Sequence, residues 1–340
     1  MLPAMRSIPL QQVLLRASFA LFVTLNFCCV HATAAVNHST PTCCVSKRPR
    51  DTIWMVSTRA FPCGDPRLHA QELSYRVLEQ GQWQATDLAA FLATDDPRVT
   101  TIIWIHGNRY EPSDAHNHGL ATYRALIKCI TCDTPLRFVI FSWPSQRIDG
   151  SLVDDVRVKA ARSNPNGYYL AWLLDQIGND VPVSLIGYSY GARIAMGGLH
   201  LLGGGQLCGW TLDQRTHPDR QPVQVTLVAA AMDNHWLIPG HRHGNALSQV
   251  EHLTNIYNSC DRALRRYRYL YCHGSNAQAM GYTGIAGRNT LGVDRAKIQQ
   301  FDACCYVGKE HGWENYLPSG PVMARMRANS LPQAPEAVIP

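Results

Sequence analysis

Apolar runs that alternate with helical patterns constrain this chain most, and the alternation extends from residue 52 to about residue 316. Several runs are continuously apolar, which is typical of strands that are buried on both faces. Strands of this kind that alternate with helices form a parallel sheet with helices on both faces. The sequence therefore predicts an α/β fold with a mostly parallel central sheet and no large lid domain.

The predicted strands are eight short runs, at 52–59, 73–78, 99–105, 137–143, 181–187, 223–230, 252–258 and within 296–307. The predicted helices are at 113–129, 151–177 with an interruption at "SNPNG", 191–202, about 261–271 and 313–317. Two long connections, 203–221 and 233–249, are expected at the rim of a site, because open α/β sheets bind ligands at the carboxyl ends of their strands.

The first 34 residues differ from the rest of the chain. Two arginines precede an apolar run, and Ala32 and Ala34 follow it in the small-x-small arrangement of a cleavage site. The run is short for a membrane span of about 20 residues. This pattern predicts a cleavable signal peptide at 1–34, with an uncleaved membrane anchor as the alternative.

Cleavage of the signal would leave a secreted or periplasmic protein without stable membrane insertion. It removes two arginines and no acids from a net charge of +6, which leaves +4. A charge this mild, without basic residues interleaved with aromatic ones, argues against a nucleic-acid partner. Ten of the 12 cysteines remain, and an even number in an exported chain predicts disulfide bonds.

Two cysteine pairs can be compared from their spacing alone. Cys129 and Cys132 stand at i,i+3 and could bridge each other; half a zinc site is the alternative, but no second matching pair exists. If the segment between Cys260 and Cys272 is helical, the two lie about 18 Å apart. That distance excludes a bridge between them, so their partners lie elsewhere.

Ser189 stands in "GYSYG", between the apolar run "VPVSLI" and the helical pattern "ARIAMGGLHLL". A nucleophile elbow needs a buried strand, a tight turn with glycine on both sides to avoid Cβ clashes, and a following helix. All three are present. Such a turn lifts the Ser189 hydroxyl out of the sheet and directs the Tyr190 backbone N–H toward a developing oxyanion.

A strand that ends in His106-Gly107-Asn108 lies upstream, and the strand "FSWPS" lies between it and the elbow. This order resembles the α/β-hydrolase-fold serine hydrolase superfamily, most closely its bacterial branch of uncharacterised, esterase-like hydrolases. The resemblance covers roughly residues 52–317. It implies that the Asn108 backbone N–H is the second oxyanion donor, and we interpret His106 as a structural support of the loop.

The resemblance also implies the chain order serine, acid, histidine. Asp261 and Asp233 both follow predicted strands, and Asp261 is favoured because the acid of the superfamily usually follows the later strand. Asp261 could also serve as a helix N-cap. His311 follows the last predicted strand, where the superfamily has its histidine. Arg109 and Tyr188 could line the pocket, face solvent or pack.

These observations divide the chain into four parts. They are a signal peptide at 1–34, a polar cysteine-containing lead at 35–51, a hydrolase domain at 52–317, and a Pro/Ala-rich tail at 318–340 whose last residues we expect to be disordered. Histidines and aspartates in "SDAHNHG" and "DNHWLIPGHRH" could bind zinc, but their spacing matches no known motif. We interpret both segments as solvated loops and predict no metal or other cofactor.

The sequence favours an exported serine hydrolase that cleaves a carboxylic ester through an acyl-enzyme on Ser189. Its substrate would be a small-molecule or lipid-like ester, and its oligomeric state is left open. Two alternatives remain: a hydrolase fold retained for binding without turnover, and an amidase or peptidase that uses the same three residues.

Overall fold

A computed structural model describes residues 47–62, 64–128, 134–270 and 277–331. Several predictions lie outside the described residues: the signal peptide 1–34, residues 35–46 of the lead, Cys129, Cys132, Cys272, and residues 332–340 of the tail.

In the described part of the chain, nine strands form one sheet in the order β3-β2-β1-β5-β4-β6-β7-β8-β9. The strands are β1 (Thr52–Ser57), β2 (Ser74–Glu79), β3 (Gln82–Thr86), β4 (Thr100–Ile105), β5 (Leu136–Ser142), β6 (Val183–Tyr188), β7 (Val223–Val228), β8 (Val250–Tyr257) and β9 (Ile298–Asp302). Eight of these strands run in the same direction, and only β2 runs in the opposite one. The predicted, mostly parallel sheet is therefore confirmed.

The described α-helices are α1 (Leu88–Leu92), α2 (Pro112–Ile127), α3 (Leu152–Gln176), α4 (Tyr190–Leu202), α5 (Tyr267–Leu270), α6 (Met280–Thr283), α7 (Cys304–Val307) and α8 (Gly320–Ser330). Helix α3 packs against α4, and α2 contacts α8. These two pairs cover the sheet, whose central strands β4, β5 and β6 are buried along their whole length. None of the described helices is long and apolar enough to cross a membrane.

The sequence did not predict β3, an edge strand. Its segment "QWQAT" is polar and at least partly exposed throughout, so it lacks the apolar run that identifies a buried strand. Its backbone is held as a strand by antiparallel pairing with β2. Its one large apolar side chain, Trp83, donates from Nε1 to Nε2 of His116 on α2 at 2.8 Å.

Helix α3 continues through "SNPNG", so the predicted interruption is wrong. Pro165 lies inside the helix, and such a proline normally costs about 3 kcal/mol. Tertiary packing outweighs this cost, since the segment is buried against α4. A Cβ on Gly167 would lie only 3.4 Å from backbone atoms of Gly197 and Gly198, so the glycines allow the two helices a close approach.

The predicted domain boundary at residue 317 is also wrong. Helix α8 follows it and buries Val322, Met323 and Met326, and the Asn329 side chain donates to the Val225 carbonyl of β7 at 2.8 Å. The three apolar residues fall on one helical face, which a composition rich in proline and alanine had obscured. The folded part of the chain therefore includes α8.

The connection 203–221 lies at the amino ends of the strands, opposite to its predicted position. It runs from the end of α4 to the start of β7. Arg215 pairs with Asp175 near the end of α3 at 2.6 Å, and Arg220 donates to the carbonyls of Leu174 and Ile177. In a parallel sheet, a connection from a helix to the next strand must return to the amino ends of the strands. The connection 203–221 therefore cannot border a site at their carboxyl ends.

A disulfide bond joins Cys260, just after β8, to Cys304, the first residue of α7. This pair agrees with the prediction of disulfide bonds and gives Cys260 a partner other than Cys272. Among the described cysteines, Cys208 and Cys305 are free and exposed.

Candidate active site

Ser189 occupies the turn between β6 and α4, with φ 52° and ψ −111°. This conformation is costly for a residue with a Cβ, and it persists only where the surroundings determine it. Here the Ser189 N–H donates to the carbonyl of Val228 at 2.9 Å, and the Ser189 carbonyl accepts from the N–H of Ala231 at 3.0 Å. The last residue of β7 and a residue just after it thus fix the strained turn.

The two motif glycines are required by close contacts. A Cβ on Gly191 would lie 2.0 Å from the carbonyl oxygen of Ile105, and one on Gly187 would lie 2.9 Å from the backbone of Ala192. Helix α4 therefore approaches the ends of β4 and β6 more closely than a side chain at either glycine position would allow, as the elbow interpretation predicts.

Ser189, His311 and Asp261 form a continuous hydrogen-bonded series. Ser189 Oγ lies 2.9 Å from His311 Nε2, and His311 Nδ1 lies 2.6 Å from Asp261 Oδ2. The other carboxylate oxygen accepts the backbone N–H groups of Ala263 at 2.8 Å and Leu264 at 2.9 Å. Asp261 is fully buried. It therefore orients the imidazole and also caps the turn that follows it.

Tyr188 precedes the serine and supports the histidine loop. Its hydroxyl donates to the His311 carbonyl at 2.7 Å, and its ring lies against the imidazole. Burial raises the pKa of Tyr188 well above its ordinary value, so the hydroxyl stays protonated and able to donate. Tyr188 therefore packs in the core and contributes to the site.

Asp233, the alternative acid, has a different partner. Its carboxylate accepts from the Tyr267 hydroxyl at 2.6 Å, and burial raises the pKa of Tyr267 well above its ordinary value. The carboxylate that contacts His311 is that of Asp261.

The loop after β4 brings Asn108 and Arg109 to the other side of Ser189. Arg109 adopts a positive φ of 61°, and its N–H donates to the Ser145 carbonyl at 2.8 Å. The Asn108 side chain donates to Asp155 Oδ2 at 3.2 Å, and Arg109 Nε donates to the same oxygen at 3.0 Å. We call residues 107–110 the oxyanion loop, after the role that the sequence predicts for Asn108.

Asp155 on α3 holds this loop, and sequence reasoning missed it. Its other oxygen accepts from Lys159 Nζ at 2.9 Å and from the Ile148 N–H at 3.2 Å. Burial raises the pKa of Asp155, but hydrogen bonds from Lys159, Arg109 and Ile148 outweigh it and lower the pKa to about 2. The i,i+4 spacing to Lys159 was the available signal, yet the sequence does not separate Asp155 from the exposed Asp154.

His106 is fully buried beneath the oxyanion loop. Its Nε2 accepts the Trp143 N–H at 3.2 Å, and its Nδ1 lies 2.9 Å from the Gly107 carbonyl. Its ring stacks on Tyr110 and Trp143. Burial lowers the pKa of His106 well below its ordinary value, so it remains a neutral structural group.

A cavity of about 310 Å³ opens beside Ser189 and His311. Its lining is largely apolar or aromatic, with two arginines, and comprises Asn108, Arg109, Leu152, Val156, Tyr188, Ser189, Tyr190, Ala231, Ala263, Leu264, Arg266, Tyr267, Leu270 and His311. Both residues predicted as possible pocket residues, Arg109 and Tyr188, are among them. Neither long connection contributes a lining residue, although Asp233, the first residue of 233–249, contacts the lining residue Tyr267.

The segment 113–119 lies within α2, so its interpretation as a solvated loop is wrong. The histidines of the two candidate zinc segments have other partners. His116 accepts from Trp83, His118 Nδ1 lies 3.1 Å from the Tyr110 hydroxyl, and the His243 ring lies against Trp236. Within the described ranges, no group of three or more His, Cys, Asp or Glu side chains could hold a metal ion.

The sheet and its helices form the mostly parallel α/β fold that the sequence predicts. No protein-family model matches the chain, and no curated protein is significantly similar to it. Among solved structures, the chain is similar to an inhibited esterase B from Lactobacillus rhamnosis, at 13% identity and a TM-score of 0.38, over 83% of this chain and 86% of that one. A similarity this distant assigns no activity.

Proposed function

We propose that this protein is an exported serine hydrolase that cleaves a carboxylic ester through an acyl-enzyme on Ser189. The observation that carries the proposal is the series Ser189–His311–Asp261, which is continuous at 2.9 and 2.6 Å and opens into the cavity. A serine hydroxyl is too weak a nucleophile to attack alone, so it needs an adjacent base with a third group to orient that base.

In the first half-reaction, His311 Nε2 takes the Ser189 proton while Oγ attacks the ester carbonyl carbon. Asp261 holds the Nδ1 proton and stabilises the imidazolium. When the tetrahedral intermediate collapses, His311 gives the proton to the departing alcohol, and the acyl group remains on Ser189. In the second half-reaction, water replaces the alcohol and the same transfers release the carboxylic acid.

The negative charge of the intermediate would be bound by the backbone N–H groups of Asn108 and Tyr190. Tyr190 begins α4, where the helix dipole favours negative charge. Each such donor typically contributes about 10²- to 10³-fold to the rate. The fixed elbow and the anchored oxyanion loop would hold both donors in place before substrate arrives, which is what makes such donors effective.

Export is the second part of the proposal. It rests on the signal-like pattern at 1–34 and is supported by the Cys260–Cys304 bond, since disulfides persist mainly outside the cytoplasm. The mature protein would be secreted or periplasmic.

The test is hydrolysis of nitrophenyl acetate, butyrate and octanoate by the wild type, Ser189→Ala and His311→Ala, with exposed Ser248→Ala as the matched control. We expect a burst of nitrophenol equal to the enzyme concentration if deacylation is slower than acylation. Each site variant should lose about 10⁴-fold or more in kcat, and the control should retain activity. A folded wild type without turnover would favour the binding alternative, and equal cleavage of the matching nitroanilides would favour the amidase.

A further inference from the structure

The cavity beside Ser189 carries positive charge on an otherwise apolar lining. Arg109 and Arg266 are its two charged residues apart from the histidine, and none of the described residues that line it has a carboxylate. Val156, Leu264 and Leu270 supply much of the remaining surface. Such a lining suits a ligand that has a compact apolar part and a negative charge.

Arg109 is held in place before any ligand binds. Its backbone has a φ of 61°, a conformation that is costly for a residue with a Cβ and persists only where the surroundings determine it. Its N–H is bonded to the Ser145 carbonyl, and its Nε is bonded to Asp155. No hydrogen bond to another described residue occupies the two terminal guanidinium nitrogens. The side chain is 42% exposed, so these nitrogens remain accessible.

The ion pair does not cancel the charge of Arg109. The single carboxylate of Asp155 also pairs with Lys159, whose side chain is completely buried. Two cations therefore share one anion, which leaves one net positive charge beside the cavity, and Arg266 adds a second. Because the cluster is partly buried, solvent and salt screen it less than they screen an exposed charge.

We propose that Arg109, assisted by Arg266, binds an anionic group of the substrate, so that the enzyme prefers esters that carry a carboxylate or similar anion near the scissile bond. This inference rests on the proposed function. A planar guanidinium binds a carboxylate through two parallel hydrogen bonds. The remote anion would position the ester carbonyl over Ser189 while the apolar lining contacts the rest of the molecule.

The test compares 4-acetoxybenzoate with its uncharged methyl ester, which releases the same acetyl group. The readout is the ratio of kcat/KM for the two esters, so a general loss of activity cancels. We expect Arg109→Gln to lower the anionic-to-neutral ratio by about 10- to 100-fold relative to wild type, as loss of a charge-assisted hydrogen bond predicts. Arg266→Gln should lower it less. Arg265→Gln, an exposed neighbour outside the cavity, should leave it unchanged.

A ratio in Arg109→Gln within threefold of wild type would overturn the inference. Fluorophosphonate labelling of Ser189 separates this outcome from failure of the proposed function: a folded wild type that is not labelled overturns both. If Ser189 is labelled but neither ester is hydrolysed, protection from labelling by benzoate and by benzamide decides. Stronger protection by benzoate that is lost in Arg109→Gln supports the inference, and equal protection contradicts it.

Discussion

The two loops that flank Ser189 are held in different ways. On the acid–base side, two backbone N–H groups fix Asp261, and the Cys260–Cys304 bond joins its loop to the segment that leads to His311. On the oxyanion side, buried polar side chains hold the loop in place. His106 lies beneath the loop, and Asp155 accepts hydrogen bonds that connect the loop to α3. One loop depends on main chain and a covalent bond, and the other depends on a side-chain network.

The comparison shows which part of such a site tolerates change. A carboxylate held by its own following backbone keeps its position when neighbouring side chains are altered. A loop held by one buried carboxylate loses several contacts when that residue is replaced, since the anchored groups share it. We therefore expect variants of the two loops to fail in different ways.

The largest effect is expected at the acid. Asp261→Asn should lower kcat by about 10³- to 10⁴-fold, because His311 loses the partner that fixes its tautomer and stabilises its charge. Asp233→Asn is the matched control and should change kcat by less than threefold, since Asp233 contacts Tyr267. Steady-state kinetics with nitrophenyl butyrate measures both, and the reverse ranking would transfer the role to Asp233.

The second largest effect is expected from removal of the Cys260–Cys304 disulfide bond. The Cys260→Ser/Cys304→Ser variant should lose about 2–4 kcal/mol of stability in urea unfolding, as is typical for a native disulfide. Its kcat should fall as well, because the acid and histidine segments are no longer joined. Cys305→Ser, which changes the adjacent exposed thiol, should match wild type. An unchanged kcat would show that backbone hydrogen bonds alone hold this side.

The oxyanion side is tested by replacing the ion pair with Asp155→Leu/Lys159→Met. Removal of both partners avoids leaving Lys159 buried without its counter-charge. With a neutral ester, kcat should fall about 10- to 100-fold and KM should change little, because the donors act on the transition state.

Addition of Asn108→Ala to that variant should lower kcat little further, because the Asn108 side chain is anchored through its hydrogen bond to Asp155. Such non-additivity distinguishes a positioning role from a general loss of stability. Fully additive losses in kcat would contradict it.

The smallest effect concerns pH. Burial lowers the pKa of His106 and of His243 well below the ordinary value. Below about pH 6.5 the unfolded chain takes up protons that the folded state excludes, so stability falls by about 1.4 kcal/mol per pH unit for each such histidine. Urea unfolding between pH 5 and 8 measures the free energy of unfolding as a function of pH. This free energy should change less steeply with pH in His106→Gln than in wild type, and His243→Gln should give the same reduction. An unchanged slope in either variant would indicate a protonated histidine in the fold.

Local sequence predicted much of this molecule. Eight of the nine described strands and the stretch around Ser189 follow from apolar runs and glycine spacing, because the interactions that define them are close in the chain. Asp155, the continuous α3 and the packing of α8 were missed for the opposite reason. Each depends on a partner far along the chain, such as Asn108, the α4 glycines or Val225.

The most direct test of the central claim is the rate at which a fluorophosphonate labels Ser189 in the wild type and in His311→Ala, with the adduct located by peptide mass spectrometry. We predict a single adduct on Ser189 and a rate at least about 10³-fold lower in the variant, because the hydroxyl then lacks its base. An adduct on another residue, or equal rates in the two folded proteins, would contradict the account.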